Sequence, residues 1–142
     1  MPTETLPLIK VVGVSASGKS TLVRGLRERG YDARSVSQEH SHVPDLWQRM
    51  RPPARLIYLD VSLDVQRSRR PDVTWDEAWR TEEVRRLAHA REHADLRIDT
   101  SAIPAEQTLA LALVMLETQK IRKSAQPLPP AGTTGGPAPR DT

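Results

Sequence analysis

Short apolar runs rich in β-branched residues alternate along the chain with stretches of helical periodicity. The run LIKVVGV at residues 8–14 is nearly continuous in apolar side chains and ends in a Gly-rich segment, the pattern of a strand buried on both faces. Residues 20–29 then place Leu22, Val23 and Leu26 at helical spacing, and Gly30 closes the pattern as a helix-ending glycine does. A second, short strand is predicted over residues 31–37. The stretch 38–53 is polar and carries three prolines, with Asp45 placed to cap one helical segment bearing Leu46, Trp47 and Met50. The next apolar run is LIYLDV at residues 56–61, after which Ser62 can cap a helix running through Leu63 and Val65 into a group of arginines. Thr74, Trp75, Asp76 and Glu77 have the spacing of a capping box and open a long charged helix to about His93, with Trp75, Trp79, Arg86 and Ala90 on its inner side. Residues 96–99 read as a last strand, and Pro104 stands at the first position of a helix carrying Leu109, Leu111, Leu113, Val114 and Leu116. This alternation predicts an α/β fold with a short parallel sheet.

The ends differ in composition from the middle. Residues 1–7 lack periodicity and read as a flexible leader. The segment SAQPLPPAGTTGGPAPRDT, residues 124–142, is too poor in apolar side chains to offset its ordering entropy and reads as a disordered tail. That leaves one domain over residues 8–123, in keeping with a length of 142 residues. The absence of cysteine excludes disulfides, thiolate metal sites and cysteine nucleophiles. No apolar run is long enough for a membrane span and no secretory leader is visible, so a soluble, cytoplasmic protein is expected. The net charge of +3 comes from arginines that mostly alternate with Asp and Glu, the composition of solvated helix faces. With only Tyr31, Trp47, Tyr58, Trp75 and Trp79 as aromatics, a base-stacking surface for nucleic acid is disfavoured.

The chemistry concentrates in Gly13-Val14-Ser15-Ala16-Ser17-Gly18-Lys19-Ser20-Thr21, which satisfies G-x-x-x-x-G-K-[ST] without a mismatch between a predicted strand and a predicted helix. Glycines at 13 and 18 allow backbone torsions and close approaches that a Cβ would obstruct, so successive amides can converge on phosphate oxygens at a helix N-terminus. The expected nucleotide-binding residues are Gly13, Ser15, Ala16, Ser17, Gly18, Lys19, Ser20 and Thr21. Lys19 would neutralise the β- and γ-phosphates, and the Ser20 hydroxyl would ligate Mg²⁺. The expected cofactors are therefore ATP and Mg²⁺, with ATP against GTP left open.

Three segments, GVSASGKSTL at residues 13–22, LIYLDVSLDVQRSRR at 56–70 and HADLRIDTSAIPAEQTLALAL at 93–113, resemble the small P-loop kinases, a group that includes shikimate, gluconate, adenylate and cytidylate kinases. The resemblance implies a three-layer sandwich of the P-loop nucleoside triphosphate hydrolase fold. It also implies that Arg67, Arg69 and Arg70 are lid arginines, of which Arg67 and Arg70 are taken as catalytic, and that the 93–113 segment packs near the nucleotide base. The family usually has a further strand with a metal-binding carboxylate before the Leu-Tyr-Leu-Asp strand, and none is visible here. By simple pattern Asp60 reads as a Walker-B aspartate, whereas the resemblance implies that its strand is a later one of the family, whose Asp is usually structural; whether Asp60 or Glu39 serves the metal is left open. Attention then falls on Ser37-Gln38-Glu39-His40-Ser41-His42, which follows the second strand. Glu39 can accept the acceptor's proton or hold Mg²⁺ through water, and His40 or His42 can orient a phosphate or substrate.

These residues lead to a kinase that transfers the γ-phosphoryl group to a small metabolite, nucleoside or nucleotide, with Lys19, Glu39, Arg67 and Arg70 as its catalytic set. The alternative is a nucleotide-dependent regulatory ATPase or switch acting through a protein partner, favoured by the short acceptor region at residues 38–55.

Overall fold

A computed structural model describes residues 5–131 of the chain. It has four strands and four helices in chain order: β1 (Leu8–Gly13), α1 (Lys19–Glu28), β2 (Asp32–Ser35), β3 (Arg55–Asp60), α2 (Leu63–Arg69), α3 (Glu77–His93), β4 (Leu96–Asp99) and α4 (Ala105–Thr118). The strands form one all-parallel sheet in the order β2-β1-β3-β4. β1 lies inside the sheet between β2 and β3, which is why all six of its residues are buried and its sequence reads as a continuous run.

Side chains still alternate across the sheet. Ile9 and Val11 of β1, with Ile57 and Leu59 of β3, face Leu22, Val23 and Leu26 of α1 and Ala112 and Leu116 of α4. Val12 and Val14, with Leu56 and Tyr58 of β3, face Leu87 and Ala90 of α3 and the ring of Trp47. Helices therefore cover both faces, and each fully buried Leu or Ile contributes about 1.5–3 kcal/mol of apolar transfer. Lys10 interrupts the apolar pattern of β1. Its amine donates to the carbonyls of Trp47 (2.7 Å) and Arg49 (3.3 Å), tying the excursion between β2 and β3 to the sheet. Burial, with Arg51 nearby, lowers its pKa.

Several boundaries differ from the expected ones for identifiable reasons. The second strand is shorter than residues 31–37, and residues 36–54 hold two single 3₁₀ turns, Gln38–His40 and Leu46–Gln48, instead of a longer helical segment. α3 begins at Glu77 because Asp76, not Thr74, is the cap, its carboxylate accepting from the Trp79 N–H at 2.8 Å. The inward row of α3 is Glu83, Leu87 and Ala90, at i, i+4 and i+7, whereas Trp79 is 42% exposed. On α4, Pro104 is the cap residue, and the row facing the sheet is Thr108, Ala112 and Leu116 while Leu111 and Val114 point outward. Residues 124–131, the start of the expected tail, run beside the α1–β2 corner: Ser124 N donates to Gly30 O and Leu128 N to Arg27 O, both at 2.8 Å. The remainder of that segment and the first part of the expected leader lie outside the described residues. Among the described residues no helix is long and apolar enough to cross a membrane.

Because β1 leads to β2 on one side and β3 to β4 on the other, the sheet has its switch point between β1 and β3. Crevices that hold ligands in open parallel sheets lie outside the carboxyl ends of the strands at that point.

Candidate functional site

Every segment that leaves a strand at its carboxyl end contributes to one polar cluster. The loop at residues 14–18 leaves β1 and delivers Lys19 as the first residue of α1. Gly13 lies against β3: a Cβ built on it would stand 2.3 Å from Leu59 O and 2.7 Å from Ser17 Oγ, so no larger residue fits. Gly18, the cap residue of α1, has φ +99°. Ala16 is also left-handed, at φ 64°, where an L side chain costs about 1–2 kcal/mol. Ser17 N donates to Val14 O at 3.2 Å, closing the turn.

Lys19 and Glu39 are brought together. The Lys19 amine is 2.8 Å from Glu39 Oε2, and both side chains are buried to within 1% of complete exclusion from solvent. The amine also donates to the carbonyls of Gly13 (3.1 Å) and Val14 (3.3 Å), which curls it over its own loop. Glu39 sits on the 3₁₀ turn after β2, and its Oε1 has no hydrogen-bond partner among the described residues. Breaking such a pair by removing one partner costs about 3–5 kcal/mol, because the other charge is left buried alone. His40 stands at 3.7 Å from Glu39 Oε2 with half its side chain exposed. His42 meets Arg86, which also donates to the Glu39 carbonyl.

The three arginines of α2 and its end separate in space. Arg67 donates to the Trp75 carbonyl at 3.1 and 2.9 Å, and Arg70 forms a paired contact with Asp72 at 3.1 and 2.9 Å, which raises the Arg70 pKa. None of these four hydrogen bonds involves the loop. Arg69 reaches it, donating to Ala16 O (2.7 Å) and to Thr100 O (2.7 Å). Asp60 accepts from Val61 N (2.8 Å) and from Arg80 (3.1 Å).

Glu83, Gln66 and Thr100 escaped the sequence reading. Glu83 Oε1 accepts from Ser15 N at 3.2 Å and Oε2 accepts from the Ser15 hydroxyl. Gln66 Nε2 donates to Ser15 O at 2.8 Å, and Thr100 Oγ1 donates to Ser17 O at 2.9 Å. In the sequence Glu83 lies in the charged run RTEEVRR and looks like part of a solvated face. The usable signal was its spacing from Leu87 and Ala90, which places it on the buried stripe.

Beside the loop lies an open cleft of about 310 Å³, bounded by Ala16, Gly18 and Thr21 on one wall and by Arg69, Thr100 and Pro104 on the others. No protein-family model matches the chain, and no curated protein matches it. What the site can hold must therefore be judged from its donors. Residues 16–19 form an amide-rich turn at the N-terminus of a ten-residue helix, the arrangement that accepts a phosphate. Ser17 Oγ and Glu39 Oε1 are buried polar atoms without partners among the described residues, and Lys19 lies between their segments. This donor set fits a polyphosphate with its divalent cation. Among the described residues no group of three or more His, Asp or Glu side chains is arranged to hold a metal ion without such a ligand.

Proposed function

We propose that the protein binds MgATP at the turn over residues 13–21, has the three-layer P-loop fold, and transfers the γ-phosphoryl group to a small hydroxylated acceptor in the cytoplasm. The observation that carries this reading is the buried Lys19 amine, held by Glu39 over an amide-rich loop that opens into a cleft of about 310 Å³. A lysine is seldom fully buried unless paired, and this one is positioned within the motif that needs it.

In this reading the amides of residues 16 and 18–20 hold the phosphates and Lys19 exchanges its loop carbonyls for phosphate oxygens. The cleft beside Thr100 and Pro104 takes the nucleoside. Ser20 would hold Mg²⁺, with Glu39 reaching it through water, and the bound ion would neutralise charge shared by the β- and γ-phosphates. Glu39 then has a second use, accepting the proton of the attacking hydroxyl, since its Oε1 is uncommitted among the described residues. Arg69 is the arginine in contact with the loop, while Arg67 and Arg70 would have to leave Trp75 and Asp72 to reach a phosphoryl group.

One observation favours the alternative of a nucleotide-dependent switch: residues 36–54, where an acceptor site would lie, contain only two 3₁₀ turns. Release of ADP from MgATP, measured with and without pooled nucleosides, nucleotides, sugars and hydroxy acids, separates the two. Release that requires an acceptor supports the kinase; release that ignores the pool contradicts it and supports the switch.

A further inference from the structure

Ser15 is held through all of its polar groups by side chains from two helices. The Glu83 carboxylate accepts from its N–H at 3.2 Å and from its hydroxyl, and Gln66 donates to its carbonyl at 2.8 Å. Glu83 is completely buried, and its hydrogen bonds come from Ser15 and Gln66, without an ion pair to a cationic side chain among the described residues. A carboxylate is seldom buried without a cation unless fixed donors satisfy it. On the other flank Arg69 donates to Ala16 O at 2.7 Å and Thr100 donates to Ser17 O at 2.9 Å. Between the two grips lies Ala16 with its left-handed φ of 64°, a conformation that persists in an alanine only where the surroundings enforce it.

We propose that Glu83 is a positioning residue for the nucleotide: acting through Ser15, it holds the phosphate loop in its binding shape before any ligand arrives. The inference rests on the nucleotide reading given above. Without Glu83, Ala16 relaxes toward the right-handed region and the amides that follow it lose their common direction. Apparent affinity then falls in proportion to the fraction of chains that keep the binding shape. Hydrogen bonding carries the effect. Glutamine at 83 can still accept from the Ser15 N–H and donate to the Ser15 hydroxyl, so it should substitute where alanine does not. Glycine at 16 adopts the left-handed conformation without enforcement, so it should reduce the need for Glu83.

The test is calorimetric titration of the full chain with MgATP and MgADP, with circular dichroism to confirm folding. Glu83→Ala is expected to weaken both nucleotides about tenfold, equivalent to about 1.4 kcal/mol. Glu83→Gln should stay within about threefold of wild type, and adding Ala16→Gly to Glu83→Ala should recover most of the loss. If Glu83→Ala does not fold, Ser15→Ala replaces it, with a loss of about threefold that Ala16→Gly again recovers. A folded Glu83→Ala, or Ser15→Ala in its place, that binds like wild type overturns the proposal. So does a loss that Ala16→Gly leaves untouched, which would mean that Glu83 acts on binding by a route other than the conformation of Ala16. A folded wild type that binds neither nucleotide overturns the nucleotide reading and this inference with it, whereas wild-type binding with indifferent variants overturns the positioning role alone.

Discussion

The decisive residues are a lysine and a glutamate that share one buried charge balance. Lys19 is legible in the sequence because the G-x-x-x-x-G-K-S pattern names it, and Glu39 was reachable because it follows the second strand at the end of the sheet where ligands gather. Their contact at 2.8 Å was not legible, and it changes how either residue should be probed. Lys19→Ala leaves the Glu39 carboxylate buried without its cation, so it tests stability together with binding. Glu39→Gln is the gentler change, since an amide oxygen still accepts from the Lys19 amine. We expect it to lower stability by about 2–3 kcal/mol in urea denaturation, near the lower end of the cost of breaking a buried pair. If Glu39 is the proton acceptor, the same variant loses about 100-fold or more in turnover once an acceptor is found. Unchanged turnover removes Glu39 from the chemistry.

At the scale of elements, β1, α1, β3 and α4 follow from periodicity because each buries a row of apolar side chains. The turn between β1 and α1 follows from its glycines. Gly13→Ala should cost about 3 kcal/mol, because the new methyl meets the backbone carbonyl of Leu59 at 2.3 Å, and a strand cannot yield as a flexible side chain can. Equilibrium unfolding reads that cost directly; a variant as stable as wild type would show that β1 and β3 pack less closely than the register indicates. The start and inner face of α3 were misplaced for a physical reason. Its buried stripe begins with a carboxylate, so the helix carries a weak apolar signature, and the two large indoles near its start suggested an inner face that Trp79 does not join. The short excursion at residues 36–54 was equally opaque, since its place is set by Lys10 bonding the Trp47 carbonyl, by Gln38 bonding the Arg86 carbonyl and by Trp47 entering the α3 face.

The described residues form an α/β domain whose four strand ends converge on one polar crevice, and pattern alone gave that class because a central parallel strand, covered on both faces, reads as a nearly continuous apolar run. Its stability has an alkaline limit that the fold imposes. Tyr58 is 2% exposed, and burial, with Asp60 adding to it, pushes its pKa up to about 12 from 10.0. In the unfolded chain the phenol ionises first, so its contribution of about 2–3 kcal/mol is complete below pH 10 and is lost as the pH rises through 12. Tyr58→Phe should flatten that part of the pH–stability curve, and a curve of unchanged slope would contradict the burial of the phenol. On the function proposed here the loop over Lys19 is a nucleotide site. Its most direct test is calorimetric titration with MgATP of the wild-type chain and of Lys19→Met/Glu39→Gln, which removes both buried charges together and so spares the fold. We expect saturable binding to the wild type and none to the folded double variant; equal binding by both, or none by a folded wild type, would rule the nucleotide site out.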